Sequence, residues 1–169
     1  IEEQKKAEEE NPKTKDLNKI GVIAKIIKVA ELPNNNFKII VEGIERIKIK
    51  NFSRSKEMFK AKAEIFPIDE FEDETKKTAF FKNAVAKFKE YIDTNPRLAK
   101  GLLEKIEEVN NPANFINIAT PQLLVSYAQK QKILEEQSLE NQYKLFIHIL
   151  MNELELLQIA QKIESEVKE

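Results

Sequence analysis

Hydrophobic periodicity changes once along this chain, at Pro67, and that change limits the folds open to it. Before Pro67, Phe59, Ala61, Ala63 and Ile65 alternate with Lys60, Lys62 and Glu64, the two-residue repeat of a strand. After it the repeat is helical, with Phe81, Val85, Phe88 and Ile92 at i, i+4, i+7 and i+11. A β-rich front followed by an all-helical back defines an α+β chain, with boundaries read at 1–68 and 69–169.

The front half is organised around Ile20 to Phe52. Ile20–Val29 reads as a strand with apolar residues on both faces, the pattern of a strand covered on both sides. Pro33-Asn34-Asn35-Asn36 is turn chemistry, because proline presets φ and asparagine tolerates the left-handed region. A second strand spans Phe37 to Glu42. Gly43 then marks a bulge or sharp corner, and a third strand follows with Ile47 and Ile49 facing inward. Asn51 to Lys56 is a polar connection to a fourth strand ending at Pro67. Four strands with tight corners predict a small barrel or half-barrel.

In the back half, Asn95-Pro96 reads as an N-cap and first helical position, opening a helix with stripe Leu98, Leu102, Ile106 and Val109. Gly101 falls inside that helix, where close helix approach would offset its low propensity. Asn111-Pro112 starts a short helix through Ala119. Ser126 with Gln129 forms a capping box, and Ser138 caps a final helix with stripe Leu139, Tyr143, Phe146, Leu150, Leu154, Leu157, Ala160, Ile163 and Val167. At about 1.5 Å per residue, that helix outruns the core of a small bundle and reaches towards something outside this stretch.

Composition excludes several chemistries. The 169 residues carry a net charge of -1, with 28 basic and 29 acidic side chains, which is not the footprint of a nucleic-acid binder. There is no cysteine and a single histidine, His148, so disulfides, thiolate metal sites and histidine clusters are excluded. No apolar run approaches a membrane span, and residues 1–10 are nearly all polar, unlike a signal peptide. A cytosolic location follows. The first residue is Ile rather than Met, so the chain is expected to be a piece of something longer. Residues 2–16 read as a charged surface loop.

No constellation supplies catalysis. The three glycines, Gly21, Gly43 and Gly101, lie outside any Gly-Lys-Ser/Thr context, so no phosphate loop is present. Ser126 and Lys130 have helical spacing, but a serine at a helix start reads as a cap rather than a nucleophile. His148 reads as a partly exposed helix residue. Glu8-Glu9-Glu10 and Glu70, Glu72, Asp73 and Glu74 read as solvated surface, since hard-cation sites need oxygens arranged by a fixed loop. Arg46, Lys48 and Lys50, followed by Arg54 and Lys56, form a basic edge without the interleaved aromatics of a stacking platform.

Ile20-Gly21-Val22-Ile23-Ala24-Lys25-Ile26, followed by Val41-Glu42-Gly43 with Arg46 three residues on, resembles the amino-terminal domain of the Lon family of proteases. That family shows an I/V-G-x-x-A-x-I strand, a turn, and a v-x-G-x-x-R-x-x-I strand. Upstream, Gln4-Lys5 and Asn11-Pro12 are similar to its acidic loop. Downstream, Asn111-Pro112 to Ala119 is similar to D-P-x-x-L-A-D-x-I-A. Lys130-Gln131, Leu134-Glu135 and Asn152-Glu153-Leu154-Glu155 are similar to its K-Q-x-x-L-L-E and E-L-E segments. Asn111 and Asn117 depart from the family's aspartates, and Gln142 stands where arginine is common.

The resemblance implies a PUA-like β-domain followed by a helical bundle. It also implies that the family's first strand and helix precede the point matching Ile1, with a coiled coil, ATPase module and Ser-Lys protease domain following. Membership of a hexameric, cytoplasmic, ATP-dependent protease of protein quality control is implied, this domain recognising substrates and aiding assembly without chemistry of its own. ATP and magnesium are then expected only in the downstream module, with no cofactor or metal here. Partners are unfolded or damaged proteins, the protein's own ATPase and protease domains, and further copies of itself; membrane and nucleic acid are not among them. Substrate contacts are expected at Leu32, Phe37, Met58 and Phe59, and structural roles at Gly21, Gly43 and Arg46. The alternatives are an oligomerisation spacer without substrate contact and an RNA-binding PUA-like domain.

Overall fold

The computed structural model of the chain describes residues 11–56, 58–98 and 101–168. Expectations for Gln4, Lys5 and Glu8 to Glu10 lie outside the described residues. The chain divides into two compact units, Ile1–Pro67 and Ile68–Glu169.

The first unit holds an antiparallel sheet in the order β1-β2-β3. Strand β1 is Ile20–Leu32, β2 is Asn36–Arg54 and β3 is Phe59–Ile65. Pro33–Asn35 turns the chain between β1 and β2, with Asn34 at φ 67° and Asn35 at φ 58°, so asparagine supplies the left-handed backbone the turn requires. Among the described residues of this unit, Leu17, Ile47 and Ile49 are the buried large apolar side chains.

Four expectations are corrected here. The strands expected on either side of Gly43 are one continuous strand, β2. Ala24 pairs with Gly43 and Ile23 with Glu45, so Ile44 is an extra residue held in a bulge and the ladder continues past it. The polar stretch from Asn51 belongs to β2 as far as Arg54. Among the described residues the sheet is open rather than a barrel, because β1 and β3 each pair only with β2. Finally, β1 is not covered on both sides: Ile23, Ile26, Ile27 and Val29 are all exposed. Their half of the hairpin lies beyond the buried Leu17, Ile47 and Ile49.

The second unit is helical. Helix α1 is Glu74–Thr94, α2 Leu102–Glu107, α3 Pro112–Ala119, α4 Tyr127–Glu135 and α5 Leu139–Lys168. The starts of α1, α3, α4 and α5 have polar side-chain caps, whereas α2 follows Gly101 with none. Asp73 accepts from the Thr75 and Lys76 amides at 2.8 and 3.1 Å, Asn111 from the Asn114 amide at 3.1 Å, and Ser138 from the Asn141 amide at 3.3 Å. Ser126 and Gln129 form a reciprocal capping box. The helix expected from Pro96 is shorter than its stripe. Asn95 closes α1 by donating to the Ile92 carbonyl at 3.2 Å, and α2 begins only after Gly101. Gly101 adopts φ 89° before α2, and a Cβ there would meet nothing within 4 Å. Its backbone angle, not close helix approach, calls for glycine.

The bundle closes on aromatic rings. Phe115 lies 6.0 Å from Phe88, 5.6 Å from Phe146 and 6.3 Å from Tyr143 between ring centroids, within the range of favourable ring pairs. Three buried polar side chains in this core have partners, while the Thr120 hydroxyl is buried without one. The Tyr143 hydroxyl donates to the Pro112 carbonyl at 2.8 Å, and burial pushes its pKa well above the usual phenol range. The Tyr91 hydroxyl accepts from the Leu124 amide at 2.9 Å, and burial raises its pKa too. Buried Gln142 donates to the Ile133 carbonyl at 2.8 Å. Buried residues of α5 end at Leu154, while Leu156, Ile159, Ile163 and Val167 are exposed.

Candidate functional site

Pairing register sorts the hairpin's side chains, because directly opposed residues of an antiparallel pair project to the same side. Ile26 opposes Val41, Val29 opposes Ile39, and Glu31 opposes Phe37. One face of the distal hairpin therefore carries Ile26, Val29, Phe37, Ile39 and Val41 together, all between 40% and 59% exposed. The other face carries Lys25 opposite Glu42, Lys28 opposite Ile40, Ala30 opposite Lys38, and Leu32 opposite Asn36. A second bulge places Ile27 as an extra residue between the Ile26 and Lys28 pairs.

The residues expected to contact substrate are not gathered at one place. Leu32 and Phe37 are both at the turn end and exposed, but they belong to opposite faces. Met58, also exposed, lies between β2 and β3, beyond the far end of β2. About seventeen extended residues, roughly 50 Å, separate Phe37 from Arg54. Phe59 is half-buried, with the Arg54 guanidinium 5.3 Å over its ring. Ile26, Val29, Ile39 and Val41 were missed because an apolar alternation reads as coverage. The signal that finds them is the turn at Pro33–Asn35, which fixes which residues oppose which.

Gly21, Gly43 and Arg46 occupy structural positions. Gly21 is buried opposite Ile47. A Cβ on Gly43 would lie 3.2 Å from Val22 Cγ1. Arg46 donates from Nε to the Phe66 carbonyl at 3.0 Å and from Nη2 to the Pro67 carbonyl at 3.1 Å, with its guanidinium 4.5 Å over the Phe66 ring. It fastens the segment leaving β3.

Other polar clusters are engaged structurally. Ser126 Oγ is held in its capping box, and Lys130 Nζ donates to the Pro121 carbonyl at 3.0 Å, so the two do not make a nucleophile–base pair. Lys77 lies 3.2 Å from Glu70 and 3.6 Å from Glu74. His148 is exposed, 3.4 Å from Asn152 Nδ2. Along the basic edge, Lys50 lies 2.6 Å from Glu64. Among the described residues, no group of three or more His, Cys, Asp or Glu is placed to hold a metal, and no helix is long and apolar enough to cross a membrane.

The described residues form a sheet that exposes apolar side chains and a well-packed helical unit. The chain belongs to the family of ATP-dependent protease La (LON) substrate-binding domains, whose model matches residues 3–152. It is 34% identical to a Lon protease of Rickettsia bellii over 169 residues, covering 98% of this chain and 22% of that protein. It is 28% identical to the Lon protease of Escherichia coli K12 over 165 residues, covering 98% of this chain and 21% of that one. The chain thus spans about a fifth of the length of these relatives. Among solved structures, the N-terminal domain of a Mycobacterium avium complex Lon protease shares its fold, with a TM-score of 0.63 at 18% identity, covering 80% of this chain and 71% of that one. A substrate-binding domain is not the catalytic part of its protein, and no catalytic role falls to these residues.

Proposed function

We propose that this domain serves a Lon-like ATP-dependent serine protease by holding apolar segments of unfolded or damaged proteins. The observation that carries this reading is the exposed apolar face formed by Ile26, Val29, Phe37, Ile39 and Val41. Exposed contiguous apolar surface marks interaction sites, and covering each half-exposed side chain contributes on the order of 1 kcal/mol. An unfolded chain presents extended apolar segments that a native one has buried. Leu32 at the turn contributes from the opposite face, while Met58 and Phe59 form a separate, secondary contact.

In this reading ATP and magnesium act in the rest of the protein and none is needed here. The protein is cytoplasmic and homo-oligomeric, and this domain is joined to its own ATPase and protease domains. The exposed stripe Leu156, Ile159, Ile163 and Val167 supports a part in assembly. The test is a titration of one protein, native and chemically unfolded, against this domain. Binding of the unfolded form alone is expected; equal, negligible binding of both would refute the recognition role.

A further inference from the structure

The distal hairpin face has one charged residue. From Ala24 to Gly43, the positions on the side of Ile26, Val29, Phe37, Ile39 and Val41 include only Glu31, opposite Phe37 at the turn end. Lys25, Lys28, Lys38 and Glu42 belong to the other side, where Lys25 faces Glu42 and the lysines otherwise dominate. The two faces therefore differ in sign as well as in polarity: one is apolar with a terminal carboxylate, the other mixed with an excess of cations.

We infer that the occupant of this face is an extended apolar segment with Lys or Arg beside its apolar run, and that Glu31 is the residue that selects it. The inference rests on the proposed recognition of unfolded segments. About five extended residues, roughly 14 Å, cover the distance from Phe37 to Val41. A segment of that length brings its flank beside Glu31. A lysine or arginine there lays its methylene stem on apolar surface while its charge meets the carboxylate, whereas an aspartate or glutamate is repelled. Lys28 and Lys38 belong to the opposite face of the sheet, where they would favour an acidic flank. The sign of the preference therefore reports which face is used.

The experiment measures fluorescence anisotropy of two labelled peptides that share one apolar run of about five residues, flanked by lysines in one and by glutamates in the other. The lysine-flanked peptide is expected to bind about three- to five-fold tighter at low salt, the range of an exposed ion pair. That ratio should fall towards one at about 0.5 M salt, disappear in Glu31→Gln and reverse in Glu31→Lys. Equal binding of the two peptides, or tighter binding of the glutamate-flanked one, would overturn the assignment of Glu31 while leaving recognition of apolar segments intact. Failure of both to bind would instead remove the underlying reading. Self-association that competes with either peptide would make a second copy the occupant and overturn the inference.

Discussion

At the residue scale, Gly43 joins a sequence motif to a physical demand. Its φ is unexceptional, but a side chain there meets Val22 at 3.2 Å from the first carbon. Gly43→Val adds two further methyl groups and is expected to destabilise the first unit by about 1–3 kcal/mol, the range for overpacking. Far-UV circular dichroism should show helix content retained while melting of the first unit moves to lower temperature. A variant that melts like wild type would remove this account of the glycine. Gly101 is different, because its demand is in the backbone: Gly101→Ala places a Cβ at φ 89° and should cost about 1 kcal/mol without any clash. Tyr143 ties core packing to pH. Burial raises its pKa, so the folded state keeps its proton longer than the unfolded chain does. Stability from this group is fully present below the ordinary phenol value of about 10 and is lost as pH rises through the folded value. Tyr143→Phe loses the bond to Pro112, about 1 kcal/mol at neutral pH. It should also flatten the alkaline limb of a stability–pH curve measured by urea unfolding; an unchanged limb would contradict the assignment.

At the element scale, what the sequence showed depended on whether the determinant was local. Asn111, Ser126 and Ser138 announced three helix starts because a cap is a local chemical event. Pro33–Asn35 announced the hairpin for the same reason. The continuity of β2 was hidden because a bulge such as that at Ile44 absorbs one residue and leaves no mark in composition. The helix expected at Pro96 was overextended because Leu98, Leu102, Ile106 and Val109 keep helical spacing across Gly101, whose left-handed conformation sits immediately before the start of α2. The candidate site was legible only at Phe37, and Leu32 next to it proved to face the other way. Periodicity reports which residues are apolar; it does not report whether anything covers them. The distal half of α5 illustrates this, since its stripe continues past Leu154 into solvent. Deleting residues 158–168 should leave melting of the helical unit within about 0.5 kcal/mol, as expected where no buried contact is lost. If the stripe mediates assembly, the deletion should abolish any self-association seen by sedimentation. Strictly monomeric behaviour of both proteins would argue against a role of this stripe in assembly.

At the scale of the whole molecule, the two units differ in what holds them. Among the described residues, the helical unit packs seventeen buried side chains around its ring cluster, whereas the first unit buries the large apolar side chains Leu17, Ile47 and Ile49. Small sheets with so little core are marginal. Hydrogen exchange should therefore find amides of the distal hairpin opening far more readily than those of α1 and of α5 up to Leu154; uniform protection would contradict this ranking. In the proposed reading, the apolar side chains that the sheet exposes among the described residues are the surface a bound segment covers. The central claim is that the face bearing Ile39 holds apolar segments of unfolded protein. Its most direct test is titration of an unfolded protein against wild type and Ile39→Asp, with melting of each recorded alongside. The account predicts unchanged melting and a loss of binding of about ten-fold or more, since a carboxylate in the middle of an apolar contact is desolvated without a partner. Binding of the variant as tight as that of wild type would contradict it.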